Sequence, residues 1–182
     1  MLNTFKPASP DAGFYFLRLR LMFSKSYDDR MTPAELTATA TQLIVEIEKL
    51  IPGCMQNPAD RDNNLGNVTL MIVAEGGQIF GRMFGDTQQR QRNTSRIAWQ
   101  KSMQVWMTGQ ATGEFEKQVY GRNVDPGQFG LQHPDLIGWQ GGLPVVAKDG
   151  TKLAVAMSGF TGETDCAIIR QAVAKVPGLA MG

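Results

Sequence analysis

The sequence predicts an α+β domain, in which helices pack on an antiparallel sheet that is built from two hairpins. Two apolar segments interrupted by turn residues, 68–84 and 143–158, have the pattern of β-hairpins. Three segments with helical spacing of their apolar residues, about 32–51, 87–108 and 163–175, lie before, between and after the hairpins. No strand–helix–strand repeat is present, so the sequence does not support a Rossmann-type dinucleotide site.

The composition is that of one globular domain, residues 1–182. Hydrophobic residues make up 42% of the chain and charged residues 19%, and the length suits a single core. The net charge of +1 gives no global support for a nucleic-acid or membrane-surface partner. Cys54 and Cys166 lack the spacing of a metal site, so we expect reduced thiols and no metal.

Residues 1–31 are predicted to form an N-terminal extension. They lack the pattern of a signal peptide, and the short apolar stretch 14–23 contains Arg18 and Arg20, which excludes a transmembrane helix. We therefore expect a cytoplasmic protein. A capping signal at Ser9–Pro10 favours a helix in this extension, whereas the alternation within 14–23 favours a strand. The many apolar side chains of 14–23 predict a homo-oligomer.

The first helix of the domain has a clear beginning. Thr32 and Glu35 have the spacing of a capping box, in which each side chain can satisfy a free backbone N–H of the other. Apolar residues with a helical period follow, and Pro52–Gly53 is predicted to end the helix. The polar segment 57–67 is predicted to be a loop.

The first hairpin and the central helix come next. Val68–Ala74 and Gln78–Phe84 are predicted strands, and a helix is expected from Thr87 to Thr108, with Gly109 as its C-terminal glycine. We expect its buried stripe to contain Ile97, Ala98, Val105 and Trp106. A short helix, Glu114–Tyr120, is expected to follow.

The second half opens with a long polar loop, 121–142, of a length that is often functional. Strands are predicted at Leu143–Lys148 and Thr151–Ser158, around an Asp-Gly turn. The last helix is expected to run from about Glu163 to Lys175, and Pro177–Gly178 ends it. Its predicted inward residues are Ile168, Ile169, Ala172 and Val173.

Four segments carry a family resemblance. GGLPVVAKDG, followed by AVAMSGFTGETDCAIIRQAV, resembles the C-terminal signature of the GlcG/HbpS-like family, which includes the C-terminal domain of PduO-type proteins. VTLMIVAEGGQIFGRMFGD and TSRIAWQKSMQVWMTG are similar to the family's first hairpin and central helix. The resemblance covers about residues 32–176. It implies a profilin-like fold and a homo-oligomer.

The resemblance leaves two functions open. Some members of the family bind haem, and the family also includes lyases that convert hydroxylaminobenzoate to protocatechuate and ammonia. We favour a cofactor-independent lyase acting on a small aromatic acid, with haem binding as the alternative. The chain has one histidine and no C-x-x-C-H motif, and its N-terminal extension can close over a small site.

Two residues are predicted to act in catalysis. His133, the sole histidine, is a candidate acid, base or haem ligand, and the alternative is an ordinary surface residue. Glu163, at the start of the last helix, is a candidate proton donor if it is desolvated. Otherwise it only interacts with the helix dipole.

Five residues are predicted to contact a ligand through their side chains. Arg96 and Arg82 are candidates for binding a carboxylate, because a guanidinium can do so with two hydrogen bonds. Trp139 and Phe160 can pack on an aromatic ring. Thr161 lies at a helix N-terminus, where free N–H groups favour an anion.

Two glycines next to Trp139 complete the predicted site. Gly141 and Gly142 precede a predicted strand and can adopt conformations closed to other residues. One interpretation is that they leave room for a planar ligand beside the tryptophan. The other is that they allow a helix to pack closely on the sheet.

Overall fold

The structure, a computed structural model, describes residues 30–182. Met31–Gly182 form one compact unit. The expectations for 1–29, including the choice between helix and strand in the extension, lie outside the described residues, and the homo-oligomer stays a prediction. No helix in the described part of the chain is long and apolar enough to cross a membrane.

The described residues form an α+β fold, as predicted. The five α-helices are α1 (Pro33–Cys54), α2 (Pro58–Asn64), α3 (Gln88–Thr108), α4 (Thr112–Tyr120) and α5 (Gly162–Val173), and one 3₁₀ turn covers Pro126–Phe129. The strands are β1 (Val68–Ala74), β2 (Ile79–Phe84), β3 (Gly142–Ala147), β4 (Lys152–Ser158) and β5 (Leu179–Met181). They form one antiparallel sheet in the order β2-β1-β4-β3-β5.

Both predicted hairpins are present, and they join through β1 and β4, where Thr69 pairs with Ser158 and Val73 with Ala154. Strand β5 was not predicted. It has three residues and carries no pattern of its own, so its pairing with the edge of β3 depends on tertiary structure. The sheet therefore has one more strand than the two hairpins supply.

One face of the sheet carries the larger side chains and packs against α1 and α5. Leu70 and Ile72 of β1 and Val155 and Met157 of β4 belong to the same buried cluster as the inward residues of the two helices. The four residues predicted to point inward from α5 are all buried: Ile168, Ile169, Ala172 and Val173. This side holds most of the apolar core.

The other face is covered by α3 and carries smaller residues. Val105 of α3 packs with Val73 and Ala154. Gly109 ends the helix with a φ of 69°, as predicted. Placing Trp106 in the buried stripe was wrong, because 45% of this residue is exposed. It follows Val105, and adjacent residues of a helix point in different directions.

Two predictions near the first helix were wrong. Helix α1 begins with the predicted capping box at Thr32 and Glu35 but continues through Pro52 to Cys54. A proline in the last turn removes only one hydrogen bond, and the preceding Ile51 is buried in the core. The segment 57–67, predicted as a loop, contains α2, which Asn57 caps and Pro58 begins.

Candidate functional site

An open cleft with a volume of about 600 Å³ lies where α2, α3 and the start of α5 meet. The chain segments that form it are 59–64, 93–101, 139–140 and 158–162. Its polar, charged and aromatic side chains are those of Asp62, Asn63, Asn64, Asn93, Lys101, Trp139, Gln140, Ser158, Phe160 and Thr161. The cleft therefore combines aromatic and amide groups with one cation and one carboxylate, and its size is that of a small-molecule site.

A buried ion pair stands at the wall of the cleft. Lys101 Nζ lies 3.1 Å from Asp165 Oδ2, and the two side chains are 4% and 0% exposed. Lys101 Nζ also donates to the carbonyl oxygen of Met157 at 2.9 Å. An ammonium group has three N–H bonds, so the contacts with Asp165 and Met157 leave one N–H of Lys101 for another acceptor. Lys101 is also one of the residues that line the cleft.

The Asp165 carboxyl group has an unusual proton affinity. Its pKa is raised from 3.8 to about 6, primarily because burial disfavours the carboxylate. Lys101 opposes this increase, as does the backbone N–H of Phe160, which donates to Asp165 Oδ1 at 3.3 Å. The nearby Asp60 carboxylate adds to it. Asp165 is therefore a group that can exchange a proton near neutral pH.

Asp60 is a second buried carboxylate, and it ties α2 to the start of α5. Its Oδ1 accepts from Thr161 N at 2.9 Å, and its Oδ2 accepts from Thr164 Oγ1 at 2.8 Å. Asn63, on the same helix, donates to the carbonyl oxygen of Phe160 at 2.7 Å. The segment predicted as a loop thus positions one wall of the cleft.

Gly141 makes room for the ion pair. Its φ is +119°, which residues with side chains rarely adopt. A Cβ atom at this position would collide with Lys101 Nζ and would lie 2.9 Å from both Asp165 Oδ2 and Met157 O. Any side chain here would therefore separate the lysine from its partners.

Gly142 lies against helices rather than on the wall of the cleft. A Cβ atom here would lie 2.7 Å from Thr112 Cγ2 and 2.9 Å from Val105 Cγ2. Its N–H donates to Thr112 Oγ1 at 3.1 Å. The absence of a side chain at Gly142 thus lets α3 and α4 approach β3, which is the geometry that the packing interpretation expects.

Three of the predicted ligand-binding residues come together in the cleft, namely Trp139, Phe160 and Thr161. Trp139 is 60% exposed and Phe160 only 3%, so a ligand can reach most of the tryptophan ring and only a small part of the phenylalanine. Thr161 caps α5 by accepting from Thr164 N. Their roles in binding stay predictions.

The other predicted side chains lie outside the cleft. Arg82 Nη1 pairs with Glu48 Oε2 at 3.0 Å, and Arg96 Nη1 donates to Gln100 Oε1 at 3.1 Å. His133 and Glu163 are exposed, and neither is among the residues that line the cleft. Among residues 30–182, therefore, no arginine lines the cleft with Trp139 and Phe160, and catalysis by His133 or Glu163 stays a prediction.

Lys101 and Asp165, the charged residues of the ion pair, were not predicted from the sequence. Lys101 lies four residues after Ile97 and four before Val105, so it belongs to the buried stripe of α3. Asp165 similarly precedes the inward Ile168 and Ile169 by three and four residues. A charged residue within an apolar stripe was the signal that could have identified both.

Metal-ligating groups do not cluster in residues 30–182: no set of three or more histidine, cysteine, aspartate or glutamate side chains is placed to hold an ion. Cys54 is half-buried and Cys166 is buried, and both are free thiols. Burial raises the pKa of each thiol, so both stay protonated and unreactive at neutral pH.

Three solved structures share this fold. They are HbpS (18% identity, TM-score 0.50, 76% of this chain and 87% of that one), Klebsiella pneumoniae ORFY (22%, 0.54, 74% and 85%), and a complex described as PduOC:Heme (18%, 0.55, 77% and 94%). No curated protein matches the chain in sequence. At these identities the likeness concerns the fold alone.

The sequence of the domain carries a more specific match. Residues 56–174 match the model of a protein family described as haem degrading protein HbpS-like. This range is more than half of the chain, and it contains every residue that lines the cleft. The predicted GlcG/HbpS-like resemblance is thereby confirmed, and the chain belongs to the HbpS-like family.

Proposed function

We propose that the chain is a haem-binding protein and that the cleft is its ligand site. The observation that carries this proposal is that all cleft residues lie within 56–174, the range that matches the HbpS-like family. The fold is also similar to that of the complex described as PduOC:Heme. This assignment reverses our preference from the sequence, which was the lyase.

The cleft residues suit the porphyrin ring better than the iron. Trp139 offers an exposed aromatic face to a flat ring, and the nearly buried Phe160 and Ile97 add small apolar patches to the wall of the cleft. Haem iron in proteins is usually held by histidine, cysteine, methionine or tyrosine. None of these residue types is among the described residues that line the cleft, so recognition there would rest on the ring and its substituents.

A titration with two porphyrins tests this proposal. We expect haemin and iron-free protoporphyrin IX to bind saturably and with similar affinity, as measured by the Soret band and by tryptophan fluorescence. Trp139→Ala should weaken both by up to about tenfold, because a lost aromatic contact is worth about 1 kcal/mol. Trp106→Ala is the control, because Trp106 is similarly exposed but lies outside the cleft.

The titration distinguishes failure of the haem proposal from a different mode of haem binding. Absence of saturable binding for both porphyrins would overturn the proposal. Saturable binding of haemin alone, lost in His133→Ala, would overturn recognition of the ring and assign the iron to His133.

A lyase acting on hydroxylaminobenzoate is the second candidate. The observation that favours it is that four amide side chains line the cleft, which suits a small polar ligand. These side chains belong to Asn63, Asn64, Asn93 and Gln140. In the proposed reaction, protonation of the N–OH oxygen releases one water. One water then adds to the ring and another displaces the nitrogen as ammonia, so the net reaction consumes one water.

The lyase candidate is tested by measuring protocatechuate and ammonia after adding 4-hydroxylaminobenzoate. If Glu163 is the proton donor, Glu163→Gln should slow the reaction by about 100-fold or more. Glu114→Gln is the matched control, since Glu114 is an exposed glutamate near the start of another helix. Absence of both products with the wild-type protein would eliminate this candidate.

A further inference from the structure

The proposed contacts between the cleft and a porphyrin ring do not involve the buried ion pair of Lys101 and Asp165. Lys101 and Asp165 are both removed from water, and burying two charges costs free energy that their attraction offsets only partly. A pair of apolar residues would serve the packing of α3 at least as well. A buried charge beside a ligand cleft is instead typical of a functional site.

We propose that Lys101 binds a carboxylate group of the ligand through its remaining N–H, and that Asp165 holds the ammonium group in the free protein. The inference rests on the proposed function, because it names the chemical group that the same cleft recognises. The ligand class is a flat conjugated ring that bears a carboxylate. Haem propionates and small aromatic acids share this chemistry.

The charges around the cleft favour a singly charged group of the ligand, such as one carboxylate, at Lys101. Two buried carboxylates, Asp60 and Asp165, lie close enough to affect each other electrostatically, and Lys101 is the cation that stabilises the Asp165 carboxylate. A third carboxylate, Asp62, lines the cleft and is paired with Arg61. A dianion such as phosphate would meet stronger repulsion from the same carboxylates. Phe160 and Trp139 line the same cleft as Lys101, so a ring attached to the bound carboxylate would contact aromatic side chains.

Binding of a carboxylate should be coupled to uptake of a proton. The titratable groups that face Asp165 are Lys101 from α3, Asp60 from α2, Cys54 at the end of α1 and Cys166 on its own helix. A ligand carboxylate at Lys101 adds a negative charge beside Asp165, which favours the protonated acid. Affinity should therefore fall as pH rises above about 6, by up to about tenfold per pH unit.

The decisive experiment compares haemin with haemin dimethyl ester, which keeps the ring and the iron but has no free carboxylate. We expect the wild-type protein to prefer haemin by about tenfold or more, and Lys101→Met to abolish that preference. Lys49→Met, an exposed lysine of α1, is the control and should keep it. Equal affinity of the wild-type protein for the two compounds would overturn the assignment of Lys101 while haem binding stands.

A variant of the partner residue separates binding from a structural role. Asp165→Asn leaves the ammonium group without its carboxylate, so haemin should bind more tightly at pH 8 and its affinity should no longer depend on pH between 6 and 8. A purely structural ion pair predicts unchanged or weaker binding. If Lys101→Met does not fold, the double variant Lys101→Met/Asp165→Asn removes both charges and tests the same preference.

A small acid distinguishes the two ligand sources. 4-Aminobenzoate carries the carboxylate and one ring without a porphyrin. If it binds to the wild-type protein and not to Lys101→Met, while haemin does not bind, the Lys101 assignment stands and the haem proposal fails. If neither haemin nor 4-aminobenzoate binds saturably, both the assignment and the proposed function are overturned.

Discussion

Gly141 shows how one residue can decide whether the candidate site exists. Its positive φ and its contact with the ion pair both forbid a side chain. Gly150 is a matched control, since its φ is +92° and nothing lies within 4 Å of an added Cβ atom. Substitution of each glycine by alanine therefore distinguishes the free energy lost to backbone strain from the free energy lost by displacing Lys101.

We predict that Gly150→Ala costs about 1–2 kcal/mol of unfolding free energy, as expected for strain at positive φ. Gly141→Ala should cost about 2 kcal/mol more, because the new methyl group also overpacks the buried ion pair. Urea unfolding of both variants, with the slopes compared, measures the difference. Equal losses would show that Gly141 is required for its backbone conformation alone.

At the same scale, two aromatic residues predicted from the sequence line the candidate cleft, whereas its charged residues were not predicted. Trp139 and Phe160 were predicted because their side chains can pack on an aromatic ring. Lys101 was not, because only apolar residues were assigned to the buried stripe of α3, and Arg96 was the residue of this helix that was predicted to bind a carboxylate. A side chain that interrupts an apolar stripe is visible in the sequence, but its partner Asp165 is 64 residues away, and that pairing depends on the fold.

At the scale of elements, helices held by apolar periodicity were predicted well and the helix held by polar contacts was missed. Helix α1 has an apolar stripe and a capping box, and both were recognised. Helix α2 has seven residues, and its one buried residue is Asp60. Its place is fixed by hydrogen bonds to Thr161 and Thr164, about 100 positions later in the chain, so no local pattern could reveal it.

At the scale of the whole molecule, the two hairpins could be predicted from the sequence, but the way in which they pair within the sheet could not. Strands β1 and β4 are apolar on both faces, which suits central strands, yet nothing local states that they pair with each other. The same holds for the cleft, because its four segments span residues 59 to 162 and are brought together by the tertiary structure. The location of the site therefore depended on the structure.

The buried carboxyl group should also affect the stability of the whole domain. The pKa of Asp165 is about 6 in the folded protein and ordinarily 3.8, so between these values the folded state binds more protons than the unfolded state. This contribution to stability is fully present below about pH 4 and is lost as pH rises through 6. Glu35 and Asp149 have lowered pKa values, and they act in the opposite direction, at lower pH.

We therefore predict that the wild-type protein loses on the order of 1 kcal/mol more unfolding free energy between pH 5 and pH 7 than Asp165→Asn does. The comparison with the variant removes the effect of Glu116, whose raised pKa acts in the same direction in both proteins. Urea unfolding at the two pH values measures the difference. Parallel losses in the two proteins would mean that Asp165 does not change its protonation in this range, and proton uptake on ligand binding would then need another group.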